Sequence, residues 1–182
     1  LSRFFKTGRG DYGFGDKFLG ITVPITRSVV KPFYPTARIV DAEELLKSPF
    51  HEDRLAGVFL LNHLYAENPK KVFKVYIVNT GSGKGINNWD LIDTSTDRIV
   101  GPYIQDHMDH DARKAFVDKC IASKDLWVRR MIVVASFYQI KNGNEKLTLY
   151  IAERLLKDTE DLIHKSVGWM LREVGKRVDR KH

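Results

Sequence analysis

Cysteine is nearly absent: Cys120 is the only one in 182 residues. The chain can therefore hold no internal disulfide and no cysteine-built zinc cluster, which fits a reducing compartment. The thiol lies between Val117 and Ile121 and reads as a core residue. Long apolar runs are missing too. A stretch such as Met131 to Phe137 is far shorter than the ~20 residues a membrane-crossing helix requires. No alternating polar and apolar pattern points to a strand. No secretory leader is legible, and the chain begins at Leu1 without a methionine, so the true N-terminus is expected to be missing.

Two glycine-rich stretches lack the context of a nucleotide site. Gly8 to Gly13 (GRGDYG) spells GxGxxG, but no strand precedes it and no βαβ unit surrounds it. It reads as a loop between a first helix and the next. Gly81 to Gly85 (GSGKG) lacks both an upstream glycine and a Ser/Thr after Lys84, and reads as an exposed linker. His107 and His110 are three apart, yet they sit at a helix connection where Asp109 or Asp111 is a natural N-cap. No metal is expected there or elsewhere.

What is present is ordinary in bulk and biased in charge. Hydrophobic residues make up 43% and charged residues 29%, enough for one sizeable core in a single domain spanning 1–182. Lys+Arg number 30 against 23 Asp+Glu, a net charge of +7. Such an excess favours a polyanionic partner, either nucleic acid or an anionic membrane surface.

Helical periodicity dominates. Pro24 reads as a first-turn proline of a helix over 24–34, and Asp41 as the cap of a short helix that ends before Pro49. Further helices are predicted over 51–66, 69–79, 88–105, 111–122, 126–140, 145–157 and 160–178. Comparable stretches recur around Asp93, Arg130 and Lys165, spaced by 37 and 35 residues. A recurrence of about 35–45 residues per helix pair marks an α-solenoid of antiparallel HEAT-like repeats, whose corresponding positions line one concave face. That face is expected to be basic.

On the last helix Ile163, Val167, Met170, Leu171, Val174 and Val178 form an apolar stripe. Lys165, Trp169, Arg172 and Lys176 lie opposite. Trp169 is read either as packed on a neighbouring repeat or as a flat group on a phosphate-binding face. The helix from Leu126 is apolar almost all round, so Arg130 must be paired, with Asp90 or Asp93 as candidates, or line a cleft. Arg129 reads as a surface charge.

Phe18–Pro24 (FLGITVP), Asn88–Asp93 (NWDLID), Leu126–Arg130 (LWVRR) and Val167–Lys176 (VGWMLREVGK) together resemble the AlkD-type DNA alkylation-repair glycosylases, HEAT-like solenoids, along essentially the whole chain. The resemblance implies excision of cationic N3- and N7-alkylated purines from duplex DNA by hydrolysis of the N-glycosidic bond, with no cofactor or metal. It also implies that the lesion need not be flipped into a pocket. By the same motifs Asp93 corresponds to the catalytic carboxylate, Trp89 and Trp169 to aromatic walls beside the lesion, and Arg130 to the family's arginine. Arg27 matches a basic residue on the first intact repeat, and Lys165, Arg172 and Lys176 are expected to hold the DNA backbone. A cytoplasmic monomer is expected, nucleoid-associated when bound to DNA and free of membrane.

The chemistry explains why a basic protein carries this acid. A cationic base leaves without protonation, so no general acid is needed and one carboxylate suffices where a glycoside hydrolase uses two. As the base departs, positive charge grows on the deoxyribose. A carboxylate about 4 Å away, at an effective dielectric near 20, attracts it by roughly 4 kcal/mol, or about a thousandfold in rate. Asp93 is also placed to orient water. Asp90 faces elsewhere and reads as the structural partner of an arginine. Two other readings stand beside this one: a non-catalytic HEAT-like paralogue that binds bent or branched DNA, and a protein-binding HEAT scaffold.

Overall fold

Asn68, Asp109 and Asp125 start three helices by one device. Each side-chain oxygen accepts from a backbone N–H of the first turn, at Lys71 (3.3 Å), Ala112 (2.8 Å) and Trp127 (2.9 Å). Such caps contribute about 1 kcal/mol each. The structure is a computed structural model that describes residues 5–178. It is all-α: α1 (Val23–Val30), a 3₁₀ turn (Lys31–Thr36), α2 (Ile39–Leu46), α3 (His51–Leu64), α4 (Pro69–Asn79), α5 (Trp89–Asp93), α6 (Thr96–Asp106), α7 (His110–Ile121), α8 (Leu126–Ala135), α9 (Phe137–Lys141), α10 (Lys146–Leu155) and α11 (Asp161–Arg177). Among the described residues only two isolated β-bridges occur. Among the described residues no helix is long and apolar enough to cross a membrane.

The chain divides into two compact units, Leu1–Leu91 and Ile92–His182, and the division falls inside α5. In the first, α3 packs against α1, α2 and α4, burying Leu55, Val58 and Leu61 completely or nearly so. A polar network lies beside this core. Glu52, 3% exposed, accepts the backbone N–H groups of Leu19, Gly20 and Ile21, which fixes the FLGI turn ahead of α1. His51 Nε2 bonds Asp90 Oδ2 at 2.7 Å, and its Nδ1 lies 3.6 Å from Asp16 Oδ2. Arg54 also reaches Asp16, at 2.8 Å.

Burial alone would push the His51 imidazole down, but the flanking carboxylates of Asp16 and Asp90 outweigh it and carry the group up to about 9. The folded state thus holds a proton that the unfolded chain releases near 6.5. The resulting stabilisation, on the order of 3 kcal/mol, is fully present below pH 6.5 and lost as pH rises through 9. Urea unfolding should show the wild type losing stability between pH 6.5 and 9.5, with His51→Gln much flatter over that range. Equal slopes in the two proteins would contradict a cationic His51.

In the second unit α8 packs against both α6 and α11, and α7 and α10 pack against α8 and each other. Trp127, Met131, Ile132, Ile163 and Met170 fill the core. Gly101 lets α6 approach closely, because a Cβ there would lie 2.5 Å from Tyr138 Cβ and 2.7 Å from the Ala135 carbonyl oxygen. Cys120 is 4% exposed, as read from the sequence, and burial pushes its thiol up to about 12.

Several boundaries differ from the sequence reading. Pro32 and Pro35 convert the end of the 24–34 helix into a 3₁₀ turn, since each lacks the N–H an α-helix needs. The 88–105 helix is two, α5 and α6, broken at Thr94 and Ser95, a run of hydroxyl residues that favours caps over helix interiors. The 126–140 helix breaks at Ser136, whose Oγ donates to the Val133 carbonyl and accepts from Thr148 Oγ1. Asp41 sits at N3 of α2 rather than at its cap, accepting from the Arg38 N–H at 2.8 Å. GSGKG is exposed only at its tip: Gly85 is buried, and a Cβ there would lie 2.4 Å from the Leu46 carbonyl oxygen. GRGDYG forms turns. The first helix expected before it falls partly on residues 1–4, outside the described residues.

Candidate functional site

Asp93 is the last residue of α5, and the break that follows leaves its carboxylate at the start of the second unit. Arg130 lies in the middle of α8 and is buried, as the apolar surroundings of LWVRRMIV require. The two meet in a bidentate pair, with Nε to Oδ1 at 3.0 Å and Nη2 to Oδ2 at 2.7 Å. Nη1 donates to the Leu162 carbonyl in the first turn of α11. One guanidinium therefore joins the ends of α5 and α11 across α8.

The pair is asymmetric in exposure. The Arg130 side chain is 6% exposed and that of Asp93 18%. Planar two-point contact fixes both carboxylate oxygens in a way a lysine could not, and the exposed edge of the carboxylate is the side that solvent or a ligand meets. Of the two partners the sequence left open for Arg130, the structure selects Asp93. Asp90 bonds His51, where the sequence reading had given it an arginine. Arg129 is no surface charge either: its side chain is 12% exposed, bonds Asp158 at 2.7 Å and donates to the Ser123 carbonyl at 2.8 Å.

Trp169 is half-buried, with its ring tilted against Phe137 of α9 at 5.8 Å. Lys141 and Arg177 also lie over Phe137, at 5.1 and 5.2 Å. The predicted apolar stripe of α11 buries Ile163, Val167, Met170 and Val174, while Leu171 and Val178 are half-buried. On the opposite side Lys165, Arg172 and Lys176 are exposed. Lys165 pairs with Asp161 at 2.6 Å, and Lys176 lies 3.6 Å from Glu173. Glu173 is a feature the sequence reading missed. It is buried, and its bond to Arg177 holds its carboxyl below the usual range. The i,i+4 spacing of Glu173 and Arg177 was the available signal.

In the first unit Trp89 heads α5, half-buried and stacked on Phe5 at 5.4 Å. Phe5 and Phe18 also stack with one another, and both lie against the His51 ring. These rings line an apolar cleft of about 220 Å³. Arg27, in the last turn of α1, is exposed and lies over the Phe59 ring at 4.8 Å.

Asp109 caps α7, and His110 bonds Asp111 at 3.0 Å. Among the described residues no three His, Cys, Asp or Glu side chains are grouped as metal ligands. What the second unit does assemble at Asp93 is an oriented, partly exposed carboxylate backed by a buried cation, together with exposed basic residues on α11 around a half-exposed tryptophan.

No curated protein matches the chain. A family model described as DNA alkylation repair enzyme matches residues 1–182, and the chain belongs to that family.

Proposed function

We propose that this member of a DNA alkylation repair family is a glycosylase that hydrolyses the N-glycosidic bond of cationic N3- or N7-alkylated purines in duplex DNA. The observation that carries the reading is the Asp93–Arg130 pair: a carboxylate with an exposed edge, held by two hydrogen bonds from a buried guanidinium.

Arg130 tempers the attraction that Asp93 exerts. A developing sugar cation about 4 Å from Asp93 is attracted by roughly 4 kcal/mol, while Arg130, about twice as far behind, repels it by about 2 kcal/mol at the same effective dielectric. The net attraction is about 2 kcal/mol, roughly thirtyfold in rate. The remaining contribution of the pair is orientation: a carboxylate fixed at both oxygens is a positioned acceptor for the attacking water. The leaving base is already cationic, so no second acid is required. Trp89 and Trp169 supply flat walls to the sugar and backbone, and Arg27, Lys165, Arg172 and Lys176 contact phosphates.

The three α11 cations differ in how free they are. Lys165 and Lys176 each lie near a carboxylate, which lowers their net contribution to phosphate binding. Arg172→Gln should therefore reduce the salt dependence of duplex binding by about one phosphate contact, with a log–log slope smaller by ~0.9. Lys165→Gln should change that slope less. Fluorescence anisotropy over a salt series measures both, and a larger effect for Lys165 would reverse the ranking.

Duplexes carrying a single N7-methylguanine test the reading itself. Glycosylase action leaves alkali-labile abasic sites at the lesion. Tight binding without abasic sites would favour the non-catalytic DNA-binding alternative, for which the basic stripe suffices and Asp93 has no task.

A further inference from the structure

Another cleft lies in the Ile92–His182 unit, apart from every residue given a role above. About 400 Å³ in volume, it is bounded by the end of α6, by α7, by the turn after α9 and by the start of α10. Four basic side chains line it: His110, Arg113, Lys114 and Lys146. Two of these are already matched. His110 bonds Asp111 at 3.0 Å, and Lys114 bonds Asp118 at 2.6 Å. Asp118 also takes the Tyr150 hydroxyl. Asp106 lines a smaller adjoining cleft, near the Tyr138 hydroxyl.

Arg113 and Lys146 make no ion pair among the described residues. The Arg113 guanidinium bonds only neutral acceptors, Gln105 Oε1 at 2.9 Å and the Met108 carbonyl at 3.3 Å, and its buried Nε has no partner. A half-buried guanidinium with no counter-ion is costly, and an anion in the cleft would relieve that cost.

Gln139 adds an independent observation. It is 4% exposed and lines the same cleft. Its Nε2 donates to Gln105 Oε1 at 3.4 Å, and its Oε1 has no partner. A buried acceptor left open is costly unless something donates to it. An inorganic anion would answer the arginine alone. A hydroxylated phosphate ester would answer both groups, with phosphate toward Arg113 and Lys146 and, once the enclosed Gln139 amide rotates toward the cleft, a hydroxyl toward its Oε1. Val117, Leu147 and the Tyr150 ring supply apolar wall, and the volume suits a small ligand.

We infer that this cleft is a binding site for a small phosphate monoester carrying hydroxyl groups, of the size of a pentose phosphate. It is separate from the DNA face and does not depend on the glycosylase reading.

Isothermal titration of the full chain with ribose 5-phosphate, inorganic phosphate, ribose and an unmodified 12-base-pair duplex tests it. Ribose 5-phosphate should bind more tightly than inorganic phosphate, and ribose should not bind measurably. Arg113→Gln and Lys146→Gln should each weaken ribose 5-phosphate about tenfold, the effect of one charge-assisted hydrogen bond. Lys146 is exposed, so its variant keeps the test valid if Arg113→Gln fails to fold. Asp93→Asn should bind ribose 5-phosphate as the wild type does. Equal affinity in wild type and Lys146→Gln, or no heat with ribose 5-phosphate, would overturn the inference. Displacement of ribose 5-phosphate by the unmodified duplex would also overturn it, by assigning the cleft to backbone phosphate.

Discussion

Asp93→Asn should lower the rate of 7-methylguanine release about a thousandfold while leaving duplex affinity equal or tighter. The size follows from what the substitution leaves behind. In the wild type the carboxylate's attraction for the sugar cation is partly offset by Arg130. In the variant the offsetting charge stays and the attraction goes, so the change is the full ~4 kcal/mol of one unit charge at about 4 Å. The affinity follows from the ground state, where an anion near phosphates is repulsive and its removal favours binding. A group that strengthens its interaction only as charge develops is the one catalysis rewards. Single-turnover release together with an equilibrium titration on the same substrate separates the two effects. The assay belongs well below the unfolding temperature, because the variant also leaves Arg130 without its counter-ion. A variant that loses binding and rate in parallel would mean Asp93 acts through the fold and not through the reaction.

Arg130→Ala should be among the most destabilising single substitutions in the chain, by about 3–5 kcal/mol. Removing the guanidinium strips both of its bonds from a carboxylate that is only 18% exposed and frees the Leu162 carbonyl. It also leaves a cavity, because the Arg130 side chain is buried. Base release should fall as well, since the carboxylate loses its orientation. The double substitution Asp93→Asn with Arg130→Met separates structure from chemistry. A neutral pair of similar volume should recover much of the stability, because buried ion pairs are often replaceable by apolar groups, yet base release should stay absent. Recovery of activity along with stability would show that the pair is structural only. Thermal unfolding and base release, measured on all three proteins, distinguish these outcomes.

The sequence was most informative where structure is local. Pro69 after Asn68 opens α4 at the expected residue, and four of the six residues in the apolar stripe of α11 are buried. The all-helical character and the burial of Arg130 were legible for the same reason, because periodicity reports which face turns inward. Helix interruptions were less legible. Thr94–Thr96 and Ser136 continue an apolar pattern, and only their competition for backbone hydrogen bonds breaks it. Partners distant in sequence were hardest to read. Nothing beside Arg129 announces Asp158, which is 29 residues away. Asp90 finds His51 at a separation of 39 residues, where an arginine seemed the natural partner. The Asp16–His51–Asp90 network was invisible for the same reason, since burial and pairing are set by the packing of elements and not by the composition around each residue.

The cations show the difference between counting charge and locating it. A net charge of +7 raised the case for a polyanionic partner. Arg54, Arg129 and Arg130 contribute to that total but bond Asp16, Asp158 and Asp93. Of the exposed cations on α11 that are proposed to meet phosphate, Arg172 is the least encumbered.

We propose that this chain cuts a glycosidic bond in alkylated DNA. The most direct measurement is the mass of what it releases. Methylated duplex DNA incubated with the protein should yield free 7-methylguanine and 3-methyladenine in solution, with the sugar–phosphate backbone intact and abasic. Bound duplex with no free base at any protein concentration, or release of whole nucleotides in place of bases, would contradict it.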